Sequence, residues 1–346
     1  MSEVRAKRSH RRWWSWSGAA IGLALFVFVL WRIDYQRLAE VVANARIEYL
    51  ALVPAAIALE QLVRAWKWRQ ILHPLQSVGT LRLFGAIMAG YLGNLLIPLG
   101  VSPLLRSWLV ARLERLRMSA VLATVAIDRL IDGMVFAILV AIVLTLAVFP
   151  DPTGNLRLGL VVGAGGSLLL FTALLWLLAQ YKRGMADTAS LLHRLILRLP
   201  ASLAERSQAL MASFAEGIIW PAALWRRVAI VLSSVVIKLI AATHFLWAGL
   251  AFGVLLRPLD YLFLIVFLGF IVILTHFARL AGGFIVGAIF ALGLFGVSEE
   301  QALAMVLVVQ IASLMTVAAV GAFALWREGV AIGDLQAGTR GSDDGR

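Results

Sequence analysis

The sequence predicts an all-α protein, a polytopic transmembrane helical bundle with about six full spans and two broken, re-entrant-like helical hairpins. Hydrophobic residues make up 62% of the 346 residues and charged residues only 14%, which is more apolar surface than a soluble domain buries. Apolar runs of about 20 residues, the length that crosses a bilayer, recur along the chain. These runs lack the alternation of barrel strands, and a backbone in lipid must satisfy its own hydrogen bonds, so helices are expected.

The formal net charge of +12 and the absence of cysteine narrow the functions to consider. In a soluble protein this charge would suggest nucleic acid as a partner. Here Lys and Arg concentrate in loops that the positive-inside rule places in the cytoplasm beside anionic lipid. We therefore expect a membrane lipid as partner and no nucleic acid. Without cysteine, disulfides, thiolate metal sites and cysteine nucleophiles are excluded.

The chain begins with a basic segment, 1–17, followed by an apolar run at 18–31. No small-residue cleavage site follows this run, which favours an uncleaved first span with a cytoplasmic N-terminus over a signal peptide. The loop 32–48 balances basic against acidic residues and is therefore placed outside. A second span at 49–71 returns to the cytoplasm, where its basic end is expected.

The stretch 84–135 is interrupted in a way that a plain membrane anchor is not. If 84–99 crossed fully, the basic run 112–117 would lie outside, against the positive-inside rule. A hairpin that breaks and turns back keeps this run inside. The residues that interrupt the helix are Asn94, Pro98, Gly100 and Pro103.

A second hairpin is predicted at 261–296, where Gly282 and Gly283 interrupt an apolar run and Arg279 directly precedes them. It enters from the outside, opposite to the first. Broken segments in both halves of a chain are typical of transporters built from inverted repeats. The remaining full spans are predicted at 119–149, 156–180, 228–254 and 302–326.

Two further segments complete the domain organisation, in which 18–328 forms one transmembrane domain. The cytoplasmic loop 181–227 carries seven basic residues against three acidic ones. Its two amphipathic stripes, separated by Pro200, predict helices that lie on the membrane surface. The tail 329–346, rich in Gly, Ser, Asp and Arg, is predicted to be disordered.

Asp128, Arg129 and Asp132 stand inside a segment that is otherwise apolar enough to cross the bilayer. A charge at the bilayer centre costs about 2.5–3.5 kcal/mol even on the mildest scale, so such residues face a protein interior or a wet cavity. Asp128 and Asp132 share a helical face, and Arg129 can pair with Asp132. Asp128 then needs another partner, for which Arg106 is the candidate. The group either pins helices together or lines a path for a lipid headgroup.

A second charged group lies near the inner end of the second span. Glu60 and Arg64 have the favourable i,i+4 orientation, and Trp68, four residues later, can stack on the Arg64 guanidinium. The alternative is that Arg64 and Lys67 simply extend along the helix to the membrane interface.

The sequence gives little support to enzymatic chemistry. It contains no Gly-x-Ser-x-Gly, no P-loop and no dinucleotide fingerprint, and no histidine pair has metal-ligand spacing, so we expect no enzyme, no metal and no cofactor. One competitor remains, since Asp128 and Asp132 could hold Mg²⁺ against a lipid pyrophosphate in a transferase. Arg129 between them opposes divalent binding.

Taken together, these motifs resemble the lysylphosphatidylglycerol synthase transmembrane region, also called the flippase-like or UPF0104 family. The resemblance is carried by Arg64-Ala-Trp-Lys-Trp68, Asn94-Leu-Leu-Ile-Pro98 with Arg106, Asp128-Arg129-Leu-Ile-Asp132 and the segment 294–303. It implies a bundle that moves or exposes lipids. The chain departs from the family pattern at Gly100, at Ser102-Pro103 and around Gly282-Gly283, where two acidic groups and one basic group of a headgroup site are missing.

We therefore expect a multi-pass protein of the bacterial cytoplasmic (inner) membrane, both termini cytoplasmic, that translocates or exposes an anionic phospholipid, a hopanoid or a lipid-linked glycan. The alternative is a non-transporting scaffold that docks a separate lipid-modifying enzyme through 181–227, and the oligomeric state stays open. The expected headgroup ligands are Arg64, Asn94, Arg106, Asp128, Arg129, Asp132 and Arg279, and the expected hinges are Pro98, Gly100, Pro103, Gly282 and Gly283.

Overall fold

The computed structural model describes residues 31–96, 102–147, 151, 154–182, 218–278 and 282–330. Within these ranges the chain forms ten helices and no strand, which confirms the all-α prediction. Several predictions fall outside the described residues. They concern the segment 1–17, nearly all of 18–31, Pro98, Gly100, most of the loop 181–227, Arg279 and nearly all of the tail 329–346.

The helices are, in chain order, α1 Tyr35–Ala43, α2 Ile47–Leu72, α3 Thr80–Leu96, α4 Ser102–Glu114, α5 Met118–Leu146, α6 Asn155–Lys182, α7 Leu224–Ala251, α8 Pro258–Ala278, α9 Gly283–Gly293 and α10 Glu299–Arg327. Four of them, α5, α6, α7 and α10, are long and apolar enough to cross a membrane, and α1 with α2 makes a fifth candidate. These five correspond to the last five predicted spans.

Helix α1 was not predicted, because the balanced charges of its segment were interpreted as an external loop. Asp34 caps it, since its carboxylate accepts hydrogen bonds from the backbone N–H groups of Gln36 and Arg37 at 2.9 and 3.2 Å. The helix buries none of its residues, and it meets α2 at 87°. Trp31 and Tyr35 are strongly exposed, an arrangement typical of a helix lying in the membrane interface.

Helices α3 and α4 form the first predicted hairpin. Arg82 near the start of α3 contacts Glu114 at the end of α4 at 2.7 Å, so the two helices run antiparallel. At the other end, Gly90 lies so close to α4 that an added Cβ would be 3.0 Å from the Ser102 carbonyl oxygen. The 13 residues of α4 span only about 20 Å, less than the roughly 30 Å bilayer core. Pro103 occupies the first turn of α4, where its missing N–H costs nothing.

Helices α8 and α9 form the second predicted hairpin. The Phe267 ring packs on Phe290 with centroids 5.8 Å apart, and the Phe263 ring packs on Phe295 at 5.4 Å. Gly282 has φ of 76°, a left-handed conformation that glycine adopts without strain, and α9 begins at the next residue. With 21 residues, or about 31 Å, α8 is much longer than α9, whose 11 residues span about 16 Å.

The described residues group into two compact units whose boundaries fall within helices. The first draws on the described parts of Met1–Ile57, Ile138–Ala164 and Lys238–Ala312, and the second on the described parts of Ala58–Ala137, Gly165–Ile237 and Ser313–Arg346. The first unit contains the packed phenylalanine rings of the second hairpin and a hydrogen bond from the Arg46 N–H to the Ala251 carbonyl at 2.9 Å. The second unit has a continuous apolar core and contains most of the predicted site.

Close helix contact within the second unit depends on Gly321 of α10. An added Cβ there would lie 2.8 Å from the Met88 carbonyl oxygen, a backbone atom that cannot move aside alone. We expect Gly321→Ala to lower the free energy of unfolding by about 1–3 kcal/mol through overpacking, measured by thermal unfolding in detergent. Gly166→Ala is the matched control, because nothing lies within 4 Å of that added Cβ. Equal stability of the two variants would contradict the prediction.

Candidate functional site

A buried ammonium joins two buried carboxylates between α2 and α5. Lys67 Nζ lies 2.8 Å from Asp128 Oδ1 and 2.6 Å from Asp132 Oδ1, and it is 3.4 Å from the Asp128 carbonyl oxygen. Neither Lys67 nor Asp128 has any exposed surface. The i,i+4 spacing on α5 points both carboxylates at one residue of α2. This ion triplet is the centre of the candidate site.

Arg64 lies one helical turn before Lys67, and each of its three guanidinium nitrogens donates a hydrogen bond to a protein acceptor. Its Nη2 donates to Glu60 at 2.7 Å, its Nη1 to Asp132 at 3.1 Å, and its Nε to the Gln61 amide oxygen at 3.2 Å. The predicted Glu60–Arg64 pair is therefore confirmed. Because each of its nitrogens has an acceptor, Arg64 holds Asp132 and Glu60 in place.

Arg106 of α4 differs from Arg64 in what it leaves unbound. Its Nη2 lies 3.4 Å from Asp128 Oδ2, which confirms the predicted pair, but its buried Nε and Nη1 have no hydrogen-bond partner among the described residues. Its guanidinium carbon lies 5.0 Å from the centre of the Trp68 ring, and the Trp68 N–H donates to Thr124 at 3.0 Å. A buried donor without an acceptor costs about 1–3 kcal/mol, more if charged, so a ligand that accepts from Arg106 would be favoured.

Two more polar groups near the break between α3 and α4, the Asn94 amide oxygen and the Ser102 hydroxyl, are buried with no hydrogen-bond partner within the described ranges. Ser102 is close to Arg106, because both face Gly90 of α3: an added Cβ at Gly90 would be 3.3 Å from Ser102 Oγ and 3.2 Å from Arg106 Cβ. A hydroxyl that can donate and accept, and an amide oxygen that can accept, are therefore available for a ligand beside the break between α3 and α4.

Tyr91 on α3 is a residue near the site that the sequence did not single out. It is half-buried and packs against the apolar core of the second unit. A signal was present in the sequence, since Tyr91 precedes Asn94 by three residues and so shares its helical face.

The ion pairs of this cluster balance in charge. Among the described residues that form them, three cations meet three carboxylates: Arg64, Lys67 and Arg106 against Glu60, Asp128 and Asp132. Arg129, also on α5, is exposed and adds one positive charge outside these pairs.

The structure corrects three details of the prediction. Asp132 pairs with Arg64 and Lys67 rather than with Arg129, which is exposed. Trp68 lies against Arg106 rather than Arg64, because α4 packs at this point. Lys67 and Arg64 are buried in ion pairs, so the idea that they extend to the membrane interface is wrong.

The carboxylates of α5 do not form an open cation site. Lys67 Nζ occupies the position between Asp128 and Asp132 where a divalent ion would have to bind. In the part of the chain that the structure describes, no group of three or more His, Asp or Glu side chains could hold a metal ion. The structure therefore has an ion network at the place where the transferase hypothesis requires Mg²⁺.

These features define a polytopic α-helical membrane protein with two interrupted hairpins and a charge cluster within its helices. The family model of the lysylphosphatidylglycerol synthase TM region matches residues 15–321, and the chain belongs to this family. The match confirms the suspected resemblance. No curated protein and no solved structure matches the chain.

Proposed function

We propose that this protein translocates a phosphate-bearing lipid across the bilayer, with the headgroup passing Arg106. One observation carries the proposal: Arg106 is buried, yet its Nε and Nη1 have no acceptor in the part of the chain that the structure describes. Phosphate oxygens accept strong, charge-assisted hydrogen bonds from guanidinium groups. Ser102 supplies a hydroxyl beside the same residue.

The surrounding residues fix Arg106 and set the charge that it offers. Asp128 takes its Nη2, and the Trp68 ring supports its plane. Lys67 binds Asp128 from the other side, so Asp128 keeps a partner when an anion draws Arg106 away. The unfilled Asn94 amide oxygen accepts from a headgroup hydroxyl or ammonium.

The exposed Arg129 adds one positive charge outside the balanced ion pairs, which matches one phosphodiester. Bringing a charged headgroup into the bilayer is costly unless an opposite charge is already there. A single phosphate neutralises this charge, whereas an uncharged lipid leaves it unmatched. A phospholipid or a phosphate-linked glycan therefore suits this site better than a hopanoid.

Membrane orientation and setting belong to the same proposal. The distribution of Lys and Arg supports a bacterial inner-membrane protein whose termini both lie in the cytoplasm. The protein acts without catalysing a reaction on the lipid. Docking of a lipid-modifying enzyme through 181–227 stays a prediction, since most of that loop lies outside the described residues.

The test is lipid movement in reconstituted vesicles. We expect wild-type protein to make inner-leaflet phosphatidylglycerol with a fluorescent headgroup accessible to a membrane-impermeant quencher. A neutral glycolipid carrying the same fluorophore should stay protected. Protein-free vesicles and vesicles with Arg157→Gln, an exposed cation at the start of α6, are the controls. Equal protection of the labelled phosphatidylglycerol with and without protein would contradict lipid translocation.

A further inference from the structure

A cleft separate from the Arg106 site opens between α3, α4 and the end of α10. Its volume is about 180 Å³. Apolar side chains form most of its wall, with Gly85 and Ala324 lining it where α3 and α10 approach closely. The apolar residues that line it are Leu81, Phe84, Ala86, Leu109, Leu113, Val320 and Phe323.

Charged residues stand at the edge of this cleft. Arg82 and Glu328 line it and lie 3.9 Å apart, and Arg82 is bound more tightly to Glu114 at 2.7 Å. Arg327 lines it as well, is exposed, and forms no ion pair with a described residue. The cleft thus combines a hydrocarbon wall with an available guanidinium.

The position of the cleft along α10 indicates a membrane boundary. Helix α10 is a candidate span, and Arg327 is its last residue. Phe323 and Trp326 in the last turn are 57% and 76% exposed and pack on each other at 5.8 Å. Exposed aromatic rings beside a basic residue at a span end are typical of the lipid headgroup level.

We propose that the cleft binds one phospholipid of the surrounding bilayer, with part of an acyl chain between α3, α4 and α10 and the phosphate at Arg327. An apolar cavity of about 150 Å³ stays free of water and takes up small hydrocarbons, so this cleft has room for a short segment of an acyl chain. Arg327 gives the phosphate a charge-assisted partner.

This binding is independent of translocation. The cleft shares no lining residue with the Arg106 cluster, since neither Arg106 nor any residue of its ion network contacts it. The bound phospholipid fills the space between the first hairpin and α10. Its loss therefore leaves Arg106 and its partners intact, and failure of one proposal leaves the other standing.

The experiment is photolabelling in vesicles with phosphatidylglycerol that carries a diazirine midway along one acyl chain, read out by peptide mass spectrometry. We expect labels on the cleft segments 81–86 and 320–328 to exceed those on the lipid-exposed Leu169–Leu170 segment by about tenfold, the ratio that ~1.4 kcal/mol of preference gives. Ala324→Phe should fill the cleft and abolish this excess. Ala322→Phe, on the exposed side of the same helix, should keep it.

Two further measurements distinguish a filled cleft from a misfolded variant as the cause of lost labelling. Unlabelled phosphatidylglycerol should compete for the wild-type cleft labels, whereas dodecyl maltoside, which lacks phosphate, should compete less well. Arg327→Gln should lower the labelling of 320–328, and Arg106→Lys should leave it unchanged. Uniform labelling of cleft and reference segments in the wild type, or full labelling in a folded Ala324→Phe protein, would overturn the proposal.

Discussion

Replacing Lys67 with methionine is expected to lower the free energy of unfolding by about 3–5 kcal/mol, the usual effect of removing one partner from a buried ion pair. The reason is specific to its position. Lys67 Nζ is within 2.8 Å of both Asp128 and Asp132, and Asp128 keeps only the long 3.4 Å contact with Arg106 when Lys67 is gone. Thermal unfolding of the purified protein in detergent measures the effect.

A second substitution separates charge from packing. Lys67→Met together with Asp132→Asn removes one charge of each sign, and the remaining pairs, Glu60 with Arg64 and Arg106 with Asp128, stay matched. We expect the double variant to regain more than half of the lost stability. If Lys67→Met alone unfolds at the wild-type temperature, the ion triplet does not contribute to the fold.

The pairs that the sequence predicted correctly are those for which local geometry or charge balance leaves few choices. Glu60 and Arg64 lie one turn apart on one helix, so their contact needs no tertiary information. Arg106 was assigned to Asp128 because a buried carboxylate needs a cation and few stood near the break. Both helical hairpins were likewise predicted from Pro and Gly residues that interrupt helices and from the positive-inside rule.

The features that could not be predicted depend on how helices cross. Arg129 lies three residues before Asp132, as a pair requires, but α2 presents Arg64 and Lys67 to the same carboxylate. Lys67 near a helix end suits either the interface or an ion pair, and only the packing of α2 against α5 decides.

Replacing Arg106 with lysine is expected to lower the initial rate of phosphatidylglycerol translocation by at least about tenfold. Lysine keeps the positive charge that pairs with Asp128. It lacks the guanidinium nitrogens Nε and Nη1, which are buried without an acceptor among the described residues and which we assign to the phosphate. A hydrogen bond to a charged group contributes about 1.5–3 kcal/mol, so the loss of one alone accounts for this factor. Quencher access to labelled lipid in vesicles measures the rate.

The matched control is the same substitution at Arg64, whose nitrogens all donate to Glu60, Gln61 or Asp132. If Arg106 binds the headgroup and Arg64 positions its neighbours, Arg64→Lys acts mainly on thermal stability and Arg106→Lys mainly on the rate. If the cluster is only structural, Arg64→Lys has the larger effect on both thermal stability and translocation rate, because Arg64 makes more hydrogen bonds than Arg106. A folded Arg106→Lys protein that translocates phosphatidylglycerol at the wild-type rate would therefore show that Arg106 and the rest of the ion network have a structural role only.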